Sequence, residues 1–306
     1  MTTLHIFLIA VAALFLILLP VSRRFAWGYA RFMTLSLVAI VILMPFFWLI
    51  CSAFKDKAVL NEYTFLPPID KIDSSTINLD NFRTLFAEQQ TVQGPVRFWR
   101  YVANSLFLAS TGTALSLVFS SMGGYALAKY RFRGRAAIVL FMLACLTIPP
   151  IALLSPNFAV IWQLGWLDSY KALLIPVSVS IFGIFLFRQA LVGVPDDLIE
   201  AGRIDGCGEF RIYLQLAMPL VRPMTGAFCL ISFLGMWNSF LPPNVYLQTQ
   251  SKLPLPVVLN QYIGTYTQQY GVFLAGTLVA IIPPAILFFA LQREFISGLT
   301  SGAVKQ

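Results

Sequence analysis

The sequence predicts an all-α integral membrane protein with a core of six transmembrane spans and one extra span at the N-terminus. Three observations predict it. The 306 residues are 58% hydrophobic and only 11% charged, with a mean hydropathy of +0.78, whereas a soluble domain carries about a quarter charged residues. Long runs lack any Lys, Arg, Asp or Glu, and several reach the roughly 20 residues that cross a hydrocarbon layer of about 30 Å. The basic residues fall into alternate connecting segments, as they do when a chain threads a membrane repeatedly.

The N-terminal stretch "MTTLHIFLIAVAALFLILLPVSRR" has no Lys or Arg before Arg23, and no A-x-A pattern follows its apolar run. It therefore reads as a retained span over residues 1–25 rather than a cleaved leader. Residues 26–306 read as one membrane domain. Its charge-free runs are Phe32–Phe54, Tyr101–Ala128, Ala136–Leu167 and Pro223–Ser251. Ala172–Phe187 is shorter, but Leu191 and Val192 extend it past Arg188, and Gly271–Gln292 completes the set. Between the first two runs lies a polar segment, residues 55–100, with Pro67-Pro68 and Asp/Asn turn signals. It is too small for a stable domain of its own and reads as an external flap.

One set of loops holds Arg23, Arg24 and Arg31, then Lys129, Arg131, Arg133 and Arg135, then Arg188, Arg203, Arg211 and Arg222, and finally Arg293 and Lys305. The positive-inside rule places this set in the cytoplasm and the 55–100 segment outside. Topology thus accounts for the net charge of +8, and no nucleic-acid partner is implied. Cys51, Cys145, Cys207 and Cys229 are scattered and His5 is the single histidine, which excludes a conventional Cys/His metal site. With no nucleophile-and-base pairing, the chain does not read as an enzyme. It also lacks G-x-x-x-x-G-K-[ST], so it does not cradle a nucleotide phosphate by that route.

One stretch is out of character. Asp196, Asp197, Glu200, Asp205 and Glu209, five of the 13 acidic residues, fall within "VPDDLIEAGRIDGCGEFRIYLQLAMPLVRP". Pro195 followed by Asp196-Asp197 predicts a helix start, with the carboxylates satisfying free amides and opposing the helix dipole. Gly206 stands where the chain must turn. A second amphipathic helix over about residues 209–218 leads to Pro219 and the next span. Read as physics alone, this short helix, glycine turn and second helix is either a solvated connector or a rigid knob offered to a cytoplasmic partner.

The segment "EAGRIDGCGEFRIYLQLAMP" resembles the EAA signature of ABC-importer permeases, with Glu200, Ala201, Asp205, Gly206 and Pro219 on the signature positions. Gly202 replaces the second Ala, and Cys207 stands where Ala is usual. Gly202 is expected to loosen the helix by up to about 1 kcal/mol relative to Ala. "NSLFLASTGTALSLVFSSMGGYALAKYRFRGR", "FLGMWNSFLPP" and the C-terminal "REFISGLTSGAVKQ" are similar to the carbohydrate-uptake branch, of the maltose-transporter second-permease type. The similarity covers about residues 31–306.

That resemblance implies an alternating-access importer of a sugar or related polyol or glycoside in a bacterial or archaeal cytoplasmic membrane. It implies three protein partners besides the lipid bilayer: a cytoplasmic ATPase dimer, a second and different permease, and an external solute-binding protein. ATP and Mg would be held by the ATPase pair, and this chain would bind no cofactor. Glu200, Ala201, Gly202, Asp205, Gly206 and Pro219 would form the loop (residues 195–219) that transmits the ATPase motion.

For the solute pathway, Asn157, Gln163, Trp237, Asn238 and Ser239 are polar or amphipathic groups near membrane depth. They suit a sugar cavity, and equally suit interhelical hydrogen bonds and an interfacial Trp. Pro149-Pro150, Pro156 and Pro283-Pro284 predict kinks, more often static packing features than hinges. The alternative of a stand-alone secondary transporter or channel predicts intramembrane ionisable residues or repeated spans; the sequence shows neither.

Overall fold

A computed structural model describes residues 23–264 and 268–301, with side chains over 27–264 and 268–294. Residues 1–22 of the expected N-terminal span, and the side chains of the C-terminal "ISGLTSGAVKQ", lie outside the described residues. The chain divides into two compact units, 1–81 and 82–306.

In the first unit, helix α1 (Arg23–Ala53) carries a span-length apolar stretch, Trp27–Ala53. Phe32, Leu35, Ile40 and Leu43 on successive faces are all exposed, as expected of a helix that lies against lipid or another apolar surface. Segment 55–81 folds back over its C-terminal end and runs into a short helix, α2 (Asp80–Phe86). Lys55 is fully buried there and donates from Nζ to the carbonyls of Tyr63 (2.5 Å) and Thr64 (3.1 Å). Asn81 Nδ2 donates to the carbonyls of Ala53 (3.0 Å) and Lys55 (2.8 Å). Two side chains therefore satisfy backbone acceptors around the helix end, and burial lowers the Lys55 pKa.

In the second unit, a small hairpin pairs β1 (Gln89–Thr91) with β2 (Gly94–Val96), Gln89 opposite Val96. It is a local exception to the all-α expectation. The core is built on α3 (Phe98–Lys129). Against it pack α7 (Ile181–Val192) and α10 (Arg222–Trp237), and α10 in turn packs against α13 (Tyr270–Ser301). Small residues set these approaches. A Cβ on Gly124 of α3 would stand 2.6 Å from Phe187 Cβ, and one on Gly183 of α7 would stand 2.6 Å from the Phe228 ring. Between apolar helices in lipid, such close backbone approach supplies the packing that association depends on. The Ser120 hydroxyl of α3 accepts from the Ser180 amide (3.1 Å), and Ser180 Oγ caps α7 by accepting from Gly183 N (3.0 Å).

Four helical stretches are long and apolar enough to span: Trp27–Ala53, Phe98–Lys129, Lys171–Val192 (α6, Lys171–Val177, followed by α7) and Tyr270–Glu294. Two bent helix pairs, if each is counted as one span, bring the number to six among the described residues. Here one expectation is met and one is corrected. The kink predicted at Pro149-Pro150 divides the run Ala136–Leu167: α4 (Arg135–Leu146) and the stretch Pro150–Gln163, which includes α5 (Leu154–Gln163), are bent by 94°. Pro149-Pro150 removes two amides and disfavours helix at the preceding residue. The run Pro223–Ser251 does not stay helical either. Helix α10 stops at Trp237 after 16 residues, about 24 Å of rise. A separate α11 (Leu241–Tyr246) then starts on Pro242-Pro243.

The segment after α11 is pinned by Asp168, a non-glycine residue at φ 54°. Its carboxylate accepts from Gln248 N (3.0 Å), Thr249 N (2.9 Å), Thr249 Oγ1 (2.5 Å) and Lys252 Nζ (2.7 Å). Burial alone would raise its pKa, but the bonds from Lys252, Thr249 and Gln248 outweigh that and hold the carboxyl well below the ordinary range. Asn104 of α3 donates to the carbonyls of Ser251 (2.9 Å) and Leu253 (3.0 Å). The following α12 (Leu255–Gln261) is fixed to α3 by the Ser105 hydroxyl, which accepts from Leu255 N (2.7 Å).

Candidate functional site

The acidic island folds as two helices at the end of the unit where α3 finishes. Helix α8 (Asp196–Ile204) begins where Pro195 predicts. The capping expectation needs correction, because no side chain caps α8 at Pro195. Asp196 instead accepts from Lys129 Nζ (2.6 Å), which also donates to the Val194 carbonyl (2.5 Å). Lys129 closes α3, so a buried ammonium ties the α3 C-terminus to the entry of α8. This bond holds the Asp196 carboxyl below its ordinary pKa.

Gly206 makes the turn at φ +77°, with nothing within 4 Å of where a Cβ would sit. Its requirement is conformational, since only glycine enters this region without steric cost. The next helix, α9 (Glu209–Leu220), opens into a π-turn over Ile212–Ala217. Pro219 lacks the amide that would bond back to Gln215, so the ladder is broken just beyond this wide turn.

The two helices meet through Gly202. A Cβ there would lie 2.8 Å from Leu216 Cδ1 and 3.3 Å from Ile212 Cγ1. The departure from the expected Ala is thus matched by bulky partners on α9, a compensation that the helix-loosening argument missed. Beneath this contact, Ile199, Ile212, Tyr213 and Ala217 are buried together with Tyr125 of α3, Phe187 and Leu191 of α7, and Phe228 of α10. The knob is therefore seated on the helical core. Tyr213 OH and Ser121 Oγ share a buried hydrogen bond of 2.7 Å.

A second fastening crosses the Gly206 turn. Glu209 accepts from Arg203 Nε (2.7 Å) and Nη2 (3.3 Å) and from Tyr130 OH (2.6 Å). The Arg203 bonds, then Tyr130, hold the Glu209 carboxyl below its usual pKa. Burial, together with the Glu209 contact, pushes the Tyr130 hydroxyl up to about 12.

Of the coupling residues expected from sequence, Glu200, Ala201, Asp205 and Gly206 are exposed on the knob, and Gly202 is buried inside it. Pro219 lies near the far end of α9. Sequence reasoning missed Ile204, 87% exposed at the end of α8, and Phe210, 63% exposed at the start of α9. The available signal was an apolar side chain amid charged neighbours, with a glycine turn between the two. Both apolar side chains stand exposed on the same knob as the exposed acidic residues Glu200 and Asp205.

The residues suggested for a solute pathway do not all converge. Asn157 and Ser239 line one cavity of 280 Å³, together with Ser105, Met236, Tyr246 and prolines from four segments: Pro150, Pro176, Pro242 and Pro254. These two breaks create it, since the bend at Pro149-Pro150 and the stop after Trp237 both feed residues into its wall. Gln163 and Asn238 are exposed outside its lining. Trp237 is buried, donates from Nε1 to the Ala280 carbonyl of α13 (3.2 Å) and stacks on Phe233 at 5.7 Å.

Among the described residues, no group of His, Cys, Asp or Glu is arranged to hold a metal ion.

Comparison with known proteins gives this arrangement a family. Residues 116–299, which contain the knob and both bent pairs, match the family model described as binding-protein-dependent transport system inner membrane component. The chain is 36% identical over 272 residues to the arabinooligosaccharides transport system permease protein of Halalkalibacterium halodurans, covering 88% of this chain and 94% of that protein. It is 31% identical to the lactose transport system permease protein of Rhizobium radiobacter, over 92% of this chain and 98% of that one. A crystal structure of a bacterial ABC transporter involved in import of the acidic polysaccharide alginate contains a chain of the same fold. Its TM-score is 0.73 at 24% identity, covering 88% of this chain and 96% of that chain. A multi-pass membrane protein, this chain belongs to the inner-membrane permease components of binding-protein-dependent ABC transport systems.

Proposed function

We propose that this permease carries a sugar or short oligosaccharide across a bacterial or archaeal cytoplasmic membrane by alternating access. In this reading the α8–α9 knob docks into a separate ATPase subunit. The observation that carries it is the knob itself, an exposed helix-turn-helix with Ile204 and Phe210 outward and a base fused to the packing core of α3, α7 and α10. A chain without a nucleotide-binding loop needs its motion delivered from outside, and a rigid knob on the transmembrane core is a suitable lever. The carbohydrate assignment rests on the names of the relatives, two of which are permeases for arabinooligosaccharides and lactose.

A second, different permease completes the pathway, and an external solute-binding protein delivers the cargo. The cavity holding Asn157 and Ser239 is this chain's share of the route. Its few polar groups set in apolar walls suit a ligand with hydroxyls and a hydrophobic ring face. ATP and Mg belong to the ATPase pair.

Gentle purification of a tagged chain from its native membrane tests the assembly. The reading predicts comparable amounts of an ATPase subunit and a second permease, and ATP-dependent uptake of a labelled sugar once the complex and its binding protein are placed in vesicles. A chain that purifies alone and moves solute without ATP would overturn it in favour of a secondary transporter or channel.

A further inference from the structure

Beside the basic turn that follows α3, an open crevice of 780 Å³ separates the start of α4 from α7. Arg135 and Arg188 line it, and Ala136, Val139, Leu140 and Leu143 form one apolar wall at helical spacing along α4. No carboxylate is among its lining residues. The Arg135 guanidinium is held by the Tyr130 and Ala128 carbonyls at 3.4 Å each, at the end of α3.

Arg188 differs. Its Nε is buried and has no hydrogen-bond partner, and no salt bridge engages it among the described residues. Arg188 as a whole is half-buried and lines the crevice, and a guanidinium with one nitrogen buried and unpaired within an apolar helix is costly unless an anion completes it. Arg131 and Arg133, exposed in the adjoining turn, add positive potential at the same end.

We propose that this crevice binds the headgroup of an anionic phospholipid. Its phosphodiester bridges Arg188 and Arg135, and one acyl chain lies along Val139, Leu140 and Leu143. Charge complementarity favours this occupant. The site offers two guanidiniums at one end and a continuous apolar strip leading away from them, which matches a charged head on a hydrocarbon tail. A free phosphate would satisfy the arginines but leave the apolar strip open. The site is independent of which solute the permease carries.

The test uses the intact transporter, purified with its partner subunits, delipidated in neutral detergent and titrated with phosphatidylglycerol while bound lipid is counted by native mass spectrometry. The expected result is one retained phosphatidylglycerol per copy of this chain that phosphatidylcholine does not replace. Arg188→Gln should weaken its retention by about tenfold or more, as loss of a charge-assisted contact does, and Arg188→Lys should keep most of it. Leu140→Trp, which adds bulk to the apolar strip and leaves both arginines in the sequence, should also expel the lipid, so the proposal stays testable if Arg188→Gln does not assemble. Equal retention in wild type, Arg188→Gln and Leu140→Trp would overturn it. So would displacement of the lipid by millimolar inorganic phosphate, which would make this a phosphate site. A near-quantitative cross-link from Leu140→Cys to the second permease would show the crevice covered by protein, and would equally overturn it.

Discussion

The Glu209 carboxylate grips the Arg203 guanidinium through two hydrogen bonds of 2.7 and 3.3 Å, bracing α8 to α9 across the Gly206 turn. Both side chains are partly exposed, at 46% and 42%, so the pair contributes little to global stability. Its effect is on geometry: it fixes the angle at which Ile204 and Phe210 are presented. Glu209→Gln should therefore leave expression and thermal stability nearly unchanged while lowering uptake per ATP hydrolysed. Measuring both in one vesicle preparation checks this.

The same brace sets a pH response. The folded pKa of Glu209 is lowered, so its contribution is fully present above the unfolded carboxylate value of about 4.3 and is lost as pH falls through the folded value. At neutral pH it is complete. Uptake at pH 6–8 should show no step from Glu209, whereas a loss of coupling near neutrality would argue against an ionised brace.

Gly206 should tolerate almost no side chain, although there is space for one. At φ +77°, Gly206→Ala should cost about 1–2 kcal/mol locally. Gly206→Val should abolish coupled uptake while the protein still reaches the membrane, and Gly206→Asn should be the mildest change because Asn visits the left-handed region most readily. Uptake assays normalised to membrane protein would rank the three.

Gly202 presents the opposite case, ordinary backbone and no room. Gly202→Ala gains helix propensity of up to about 1 kcal/mol but drives a methyl to within 2.8 Å of Leu216 Cδ1. Because that atom ends a flexible side chain, the single change should be close to neutral in stability. Gly202→Val should be severely impaired, and Gly202→Val with Leu216→Ala should recover part of the loss. Absence of any recovery would remove the proposed compensation.

Asp168→Asn keeps a residue that accepts a positive φ and removes the charge that holds Lys252. Loss of several charge-assisted hydrogen bonds should lower stability by about 1–3 kcal/mol, read as a fall in the thermal aggregation midpoint, with the segment from Gln248 to Lys252 becoming susceptible to protease.

Much of this architecture was legible beforehand, for identifiable reasons. Charge-free runs located the helices because lipid excludes charge, and Gly206 marked its own turn because few residues adopt that conformation. Direction was not legible. Pro149-Pro150 announced a kink, but hydropathy carries no vector, so the 94° angle could not be read, and nothing in the charge-free run Pro223–Ser251 was read as ending α10 at Trp237. Arg203 and Glu209 were equally silent, being six residues apart on different helices with no i,i+4 spacing to signal a pair. Gly202 looked like a weakening because its partner, Leu216, becomes visible only when α9 folds back. The cavity joins Asn157 and Ser239 while Trp237 faces α13, a division that residue types alone cannot make.

The most direct test of the central claim is a cross-link at the tip of the knob. Ile204→Cys, in a Cys207→Ser background, would be oxidised against single cysteines placed in the surface cleft of the co-purifying ATPase, in native membranes. The account predicts a cross-link to the ATPase in high yield whose formation rate changes on adding ATP, while Thr91→Cys in the hairpin gives none. An Ile204→Cys chain that remains uncross-linked, yet supports ATP-driven uptake at wild-type rate, would contradict the coupling role of the knob.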